Sequence, residues 1–270
     1  MPTGFRNTRA RSLATLGMTL VIGSTSLSGQ TPRYAASQLQ CARFLERSRS
    51  EVKTEMARGG VDATLERDGI WSFRARDSTG GVAIEAWYDS LELRRRSGDQ
   101  EVTADTDGLI GGRYRGLLAP DGHYSEHARP FVPDEVAELA DLSTAARDLL
   151  PPLPPRALAP GEAWTDSSLT ITRLPDTAVA GRPLTHLRLR SRGESRETVP
   201  RGDTVPIPVR QTVEEEGDIY WSPESGLVRR LRAITIEATV PAGGRVRQPV
   251  RSRVEQRVEL TRLRPRQPCP

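Results

Sequence analysis

"VRRLRAITIEATV" (residues 228–240) and "VRQPVRSRVEQRVEL" (246–260) decide the fold. In the first, Ile234, Ile236, Ala238 and Val240 fall on even numbers, and Arg229, Thr235, Glu237 and Thr239 on odd ones. In the second, Val246, Val250, Val254, Val258 and Leu260 are even, while Arg247, Arg251, Arg253, Glu255, Arg257 and Glu259 are odd. A period of two held this long means strands with one covered and one wet face. "PAGG" (241–244) turns the chain between them. Strands of about a dozen residues exceed the usual five or six. They must twist and curl, so a bent sheet, half-barrel or wide barrel is expected. Pro249 cannot donate to a ladder, which predicts an edge strand or a bulge there.

The rest of the chain is read outward from this pair. "VDATLER" (61–67) and "IWSFRAR" (70–76) flank Asp68-Gly69, a two-residue hairpin signal. "GVAIEAWY" (81–88) alternates Val82, Ile84 and Ala86 against Glu85 and Trp87. "GRYRGLL" (112–118), "APDG" and "HYSE" predict another hairpin. Two helices are expected. "SQLQCARFLERSRSEVKTEM" (37–56) carries Leu39, Ala42, Leu45, Val52 and Met56 as one stripe, stopped by Gly59-Gly60. From Pro133 to Leu150, Leu139, Leu142, Ala146, Leu149 and Leu150 form a second stripe, with Asp134 and Glu135 suiting its N-terminus. "PPLPPRALAPG" (151–161) is a stiff extended connector. The fold class is therefore mainly β (α+β): a long antiparallel curved sheet or open barrel with an N-terminal and a mid-chain helix. Residues 31–270 form a single β-rich domain, with halves 38–130 and 160–265 joined by helix 133–150 and the connector.

Arg6, Arg9 and Arg11 precede the apolar "SLATLGMTLVIGSTSL" (12–27), and small residues follow at Ser24, Ser26, Ser28 and Gly29. That is the layout of a cleaved signal peptide over residues 1–30, and it predicts export to the periplasm or medium. The stretch is too short and polar for a comfortable membrane span, and no other stretch could span. Gln40 before Cys41 does not suit a lipobox. Cys41 and Cys269 are the only cysteines. In an oxidising compartment they read as one disulfide, worth roughly 5 kcal/mol in the loop-entropy treatment.

A helix, long antiparallel strands, a mid-chain helix and more strands resemble the open-barrel architecture of periplasmic lipoprotein carriers. "LPPRALAPGEAW" (153–164) and "YWSPESGLV" (220–228) also resemble exported bacterial proteins of unknown function. The resemblance implies a fold and a lipid-like ligand, and carries no functional residue with it.

Chemistry-bearing motifs are few. "HYSEH" gives His123, Glu126 and His127 the H-x-x-E-H spacing of one class of zinc peptidases. That chemistry needs a helix; Gly122 and Pro130 leave barely two turns, so surface histidines are the expectation, with a metal site or zinc-dependent hydrolase as lesser readings. His186 is expected on the outer, solvated face of "LTHLRLR". "EEEGD" (214–218) reads as a wet turn, and "RGD" (201–203) as an exposed connection. No nucleophile elbow or phosphate loop is present, and no cofactor is expected.

The net charge of +4 and the clusters Arg94–Arg96, Arg188/Arg190/Arg192, Arg229/Arg230/Arg232 and Arg251/Arg253/Arg257 describe a basic sheet face. Interleaved Glu237, Glu255 and Glu259 favour cross-strand ion pairs on it. Nucleic acid is not an expected partner, since aromatic stacking platforms are missing beside the charge. The function expected is non-catalytic: an exported envelope or secreted protein holding an apolar or lipid-like ligand in the curved sheet, with Trp71, Phe73, Trp87, Trp164, Tyr220 and Trp221 lining or closing the cavity. The alternative is a structural or interaction module of the envelope. Partners would be a lipid, a lipoprotein or another envelope protein.

Overall fold

A computed structural model of the chain describes residues 31–56, 59–179, 181–201, 204–242 and 248–265. The expected leader and Cys269 lie outside the described residues. The first half contains α1 (Ala36–Leu39), β1 (Arg43–Met56), β2 (Gly59–Ser78), β3 (Gly81–Ser97), β4 (Gln100–Thr103), β5 (Tyr114–Leu118) and β6 (Tyr124–Ala128). The connecting stretch holds α2 (Asp134–Ala137) and α3 (Ala145–Leu149). Then follow β7 (Ala163–Asp166), β8 (Leu169–Arg173), β9 (Thr177–Val179), β10 (Arg182–Arg201), β11 (Thr204–Ser222), β12 (Gly226–Val240) and β13 (Val250–Leu263). All strands join one antiparallel sheet in the order β6-β5-β3-β2-β1-β13-β12-β11-β10-β8-β7, with β4 on β3 and β9 on β10. The sheet is not closed, which is the curved open form that the strand lengths require.

Curvature follows from the contacts. Tyr114 on β5 donates to the carbonyl of Leu142 at 3.2 Å, and Arg230 on β12 donates to the carbonyls of Asp148 and Leu149. Those strands are five steps apart, about 24 Å in a flat sheet, yet both reach the short segment 142–149. The sheet therefore wraps around that segment. Its inner face there is packed with Phe44, Trp71, Phe73, Tyr88, Leu93, Tyr114, Leu118, Ile171, Leu187, Ile219 and Trp221, all nearly inaccessible. Trp71 lies 3.8 Å from Tyr88, centroid to centroid, and Tyr34 meets Trp221 edge-on at 5.1 Å.

Five expectations are corrected. The N-terminal helix over 37–56 is one turn only (α1), and residues 43–56 are strand. Its alternation was hidden because the inner positions Glu46, Ser48 and Ser50 are polar yet buried. The Asp68-Gly69 hairpin does not form: β2 runs straight through it, and Gly59-Gly60 open that strand. Gly69 serves close packing instead, since a Cβ there would lie 2.9 Å from the Tyr88 ring. The mid-chain helix is split into α2 and α3, because Asp141 Oδ1 accepts from the Ser143 amide at 2.8 Å and turns the chain. Glu214–Asp218 lie within β11 and make no turn; Gly217 allows the Leu231 carbonyl of β12 to approach, where a Cβ would stand 2.5 Å away. Finally, β13 starts just after Pro249 and is central, between β1 and β12. The hairpin over 112–128 forms as expected, closed by Ala119 and His123 at 2.8 Å.

Candidate functional site

Cross-strand partners share a face, so the register resolves the inner surface into rows. At the packed base, Gly69, Glu46, Leu260, Arg230, Ile219 and Leu187 form one row. Next come Arg67, Ser48, Val258, Arg232, Gly217 and Leu189, then Leu65, Ser50, Gln256, Ile234, Glu215 and Ser191. Beyond them lies Ala63, Val52, Val254, Ile236 and Val213, an apolar row across five adjacent strands. None of those five belongs to the buried core. This row is thus half-exposed and apolar, about 19 Å wide over four strand steps, and the next row outward, Val61, Thr54, Ser252, Ala238 and Gln211, is mixed apolar and polar.

A polar band separates it from the packed base. Glu46 is 3% exposed and accepts from Arg67 Nη2, from Trp71 Nε1 at 2.8 Å and from Tyr88 Oη at 3.2 Å. Burial alone would lower the Arg67 pKa, but the adjoining Glu46 more than reverses this and holds it above the ordinary arginine range. Burial, with Glu46 adding, keeps Tyr88 protonated far above the usual phenol value. Across the trough, Glu215 accepts from Arg232 at 2.7 and 2.9 Å and from Arg230 at 3.2 Å. Burial, with Arg232 beside it, pulls Arg230 down to about 10. Arg230 and Arg232 were expected on the basic outer face; they share the parity of Ile234 and point inward.

The outer face is an interleaved charge lattice. Its cross-strand ion pairs include Arg188–Asp218, Arg190–Glu216, Arg192–Glu214, Arg229–Glu259 and Arg253–Glu237. A depression of about 640 Å³ crosses it over Leu231 and Ala233, between Arg47, Arg49 and Arg257 on one side and Glu216 and Asp218 on the other. His186 lies on this face as its parity requires, but it is half-buried: its Nε2 meets Asp218 at 2.8 Å and its ring stacks on Tyr220 at 4.6 Å.

The six aromatics are divided between the faces. Trp71, Phe73 and Trp221 are packed in the base, and Trp164 packs against its edge. Trp87 and Tyr220 are on the outer side by register. His123 precedes the edge strand β6, which holds Glu126 and His127. In an extended chain His123 and His127 are about 13 Å apart, and the register of β6 against β5 slips at His127, between Glu126 opposite Gly116 and Ala128 opposite Arg115. Among the described residues no group of three or more metal-ligating side chains could hold an ion. No described helix is long and apolar enough to cross a membrane. Gly202 and Asp203 of the RGD triplet lie outside the described residues.

No protein-family model matches the chain, and no curated protein matches it. Among solved structures, it is similar to a DUF1329 family protein from Desulfovibrio piger at 10% identity, over 80% of this chain and 84% of that one, with a TM-score of 0.16.

Proposed function

We propose that the mature chain is an exported, non-catalytic binding protein that holds an apolar, lipid-like ligand against the distal inner face. The observation that carries this reading is the row Ala63, Val52, Val254, Ile236 and Val213, apolar and outside the packed core. The signal-peptide pattern of residues 1–30 supports export. The energetics select the ligand class. At about 0.8 kcal/mol per buried methylene, a twelve-carbon chain half covered by an open face gains about 5 kcal/mol. Lost translational and rotational freedom costs about 4 kcal/mol or more, so one chain barely binds. A ligand with two or more alkyl chains is favoured, such as a diacyl lipid or the acyl groups of a lipoprotein.

The filled base of the inner face favours a second reading, a structural or interaction module of the envelope. Native mass spectrometry of the mature protein, purified from an oxidising compartment without chelator or added metal, separates the two. Extractable lipid mass on the wild type, absent from Ile236→Glu, is the result expected. A bare polypeptide would overturn lipid binding and leave the module. One bound zinc per chain would instead return attention to His123, Glu126 and His127.

A further inference from the structure

A small cavity of about 110 Å³, lined by both polar and apolar groups, opens on the outer side, away from the apolar row, between Cys41, Ala42, Arg43, Ser72, Phe73, Trp87, Asp89 and Arg113. Its construction is specific. The register of β2 against β3 slips between Ile70 and Trp71, leaving Asp89 as the extra residue of a bulge; bulges re-aim side chains. Asp89 is fully engaged: Oδ1 accepts from Trp87 Nε1 at 2.9 Å, and Oδ2 from Ser72 Oγ at 2.6 Å and Arg43 Nε at 3.2 Å. The Arg113 guanidinium lies over the Trp87 ring, 3.4 Å from its centroid. Its Nη1 is buried and has no acceptor. Burial lowers the Arg113 pKa, and Glu85 offsets this only in part.

The charges do not balance. Among the described lining residues Arg43 and Arg113 bring two positive charges and Asp89 one negative, and Glu85, which also acts on Arg113, is already paired with Arg115 at 3.1 Å. A buried donor without an acceptor costs about 1–3 kcal/mol, and a guanidinium gains most from a planar oxyanion. We propose that this cavity binds a small carboxylate, its oxygens accepting from Arg113 and from the terminal nitrogens of Arg43 while Trp87 holds the Arg113 plane in place. The volume admits an acetate-sized group and excludes a bulky one.

Trp87 reports on the site, because its indole N–H bonds Asp89 and its ring carries Arg113. The test is a titration of the full mature protein, ¹⁵N-labelled at tryptophan, with sodium acetate at constant ionic strength. Saturable movement of the Trp87 indole cross-peak is expected, with those of Trp71, Trp164 and Trp221 still. Acetamide, the neutral isostere, should move nothing. Arg113→Met should weaken acetate at least tenfold; Arg113 makes no hydrogen bond whose loss would unfold the chain, and the acetamide comparison needs no variant. No saturation by 100 mM acetate, an equal response to acetamide, undiminished binding by Arg113→Met, or saturation by phosphate alone would each overturn the proposal.

Discussion

Removing Glu46 tests the polar band most directly. Three donors converge on this buried carboxylate: Arg67, Trp71 Nε1 and Tyr88 Oη. Glu46→Leu leaves the Arg67 charge buried and unpaired, a loss of about 3–5 kcal/mol. Arg67→Met leaves the carboxylate without its counter-charge and costs about the same. The double variant removes both charges and strands only two neutral donors, at about 1–2 kcal/mol each. The singles thus sum to about 6–10 kcal/mol and the double reaches about 2–4, a coupling of at least about 2 kcal/mol. Reversible urea unfolding, followed by tryptophan fluorescence and far-UV dichroism on all four proteins, measures it. Additive effects, or singles costing under about 1 kcal/mol, would show that Arg67 and Glu46 are solvated and that the band is not a buried pair.

Other outcomes follow from the same packing. Gly116→Ala places a Cβ 2.4 Å from the Ser125 carbonyl and the Tyr124 ring, and should lower the unfolding free energy by about 1–3 kcal/mol, read by the same urea assay. Burial pushes Tyr114 and Tyr124 up to about 12 and holds Tyr34 and Tyr88 higher still. Four of the five tyrosines should therefore stay protonated at pH 11 in the folded protein, as read by absorbance at 295 nm. Since their folded values exceed the unfolded one, stability is intact below pH 10 and falls as pH rises above it, by up to about 1.4 kcal/mol per pH unit for each. Intact mass under non-reducing conditions should be two hydrogens below the reduced mass, the signature of Cys41 joined to Cys269; two free thiols by alkylation would refute the bridge.

The strongest periodicities were legible and the weakest were misleading. β12 and β13 could be read directly because Ile234, Ile236, Val254 and Val258 keep strict parity against charged neighbours. β1 could not, because its inner face carries Glu46, Ser48 and Ser50, whose burial depends on partners elsewhere in the chain. Asp68-Gly69 has the composition of a turn, and only the Tyr88 ring across the ladder explains its glycine. The apolar row was half visible in the parity of β12 and β13. Its alignment across five strands needs the register. The Arg113 cavity left no sequence signal, since a bulge at Asp89 and a cation over Trp87 join residues from separate strands.

The pairing of β1 with β13 governs the order of assembly. Arg43 lies opposite Leu263, so the seam at the middle of the sheet joins strands 220 positions apart. Until the last strand is available, β1 presents a bare fourteen-residue edge and the two flanking groups of strands have no ladder between them. Closing so long a loop before any reward makes folding slow. A chain still being made thus has an incomplete sheet until β13 emerges, which makes any truncation before β13 a recruit for aggregation.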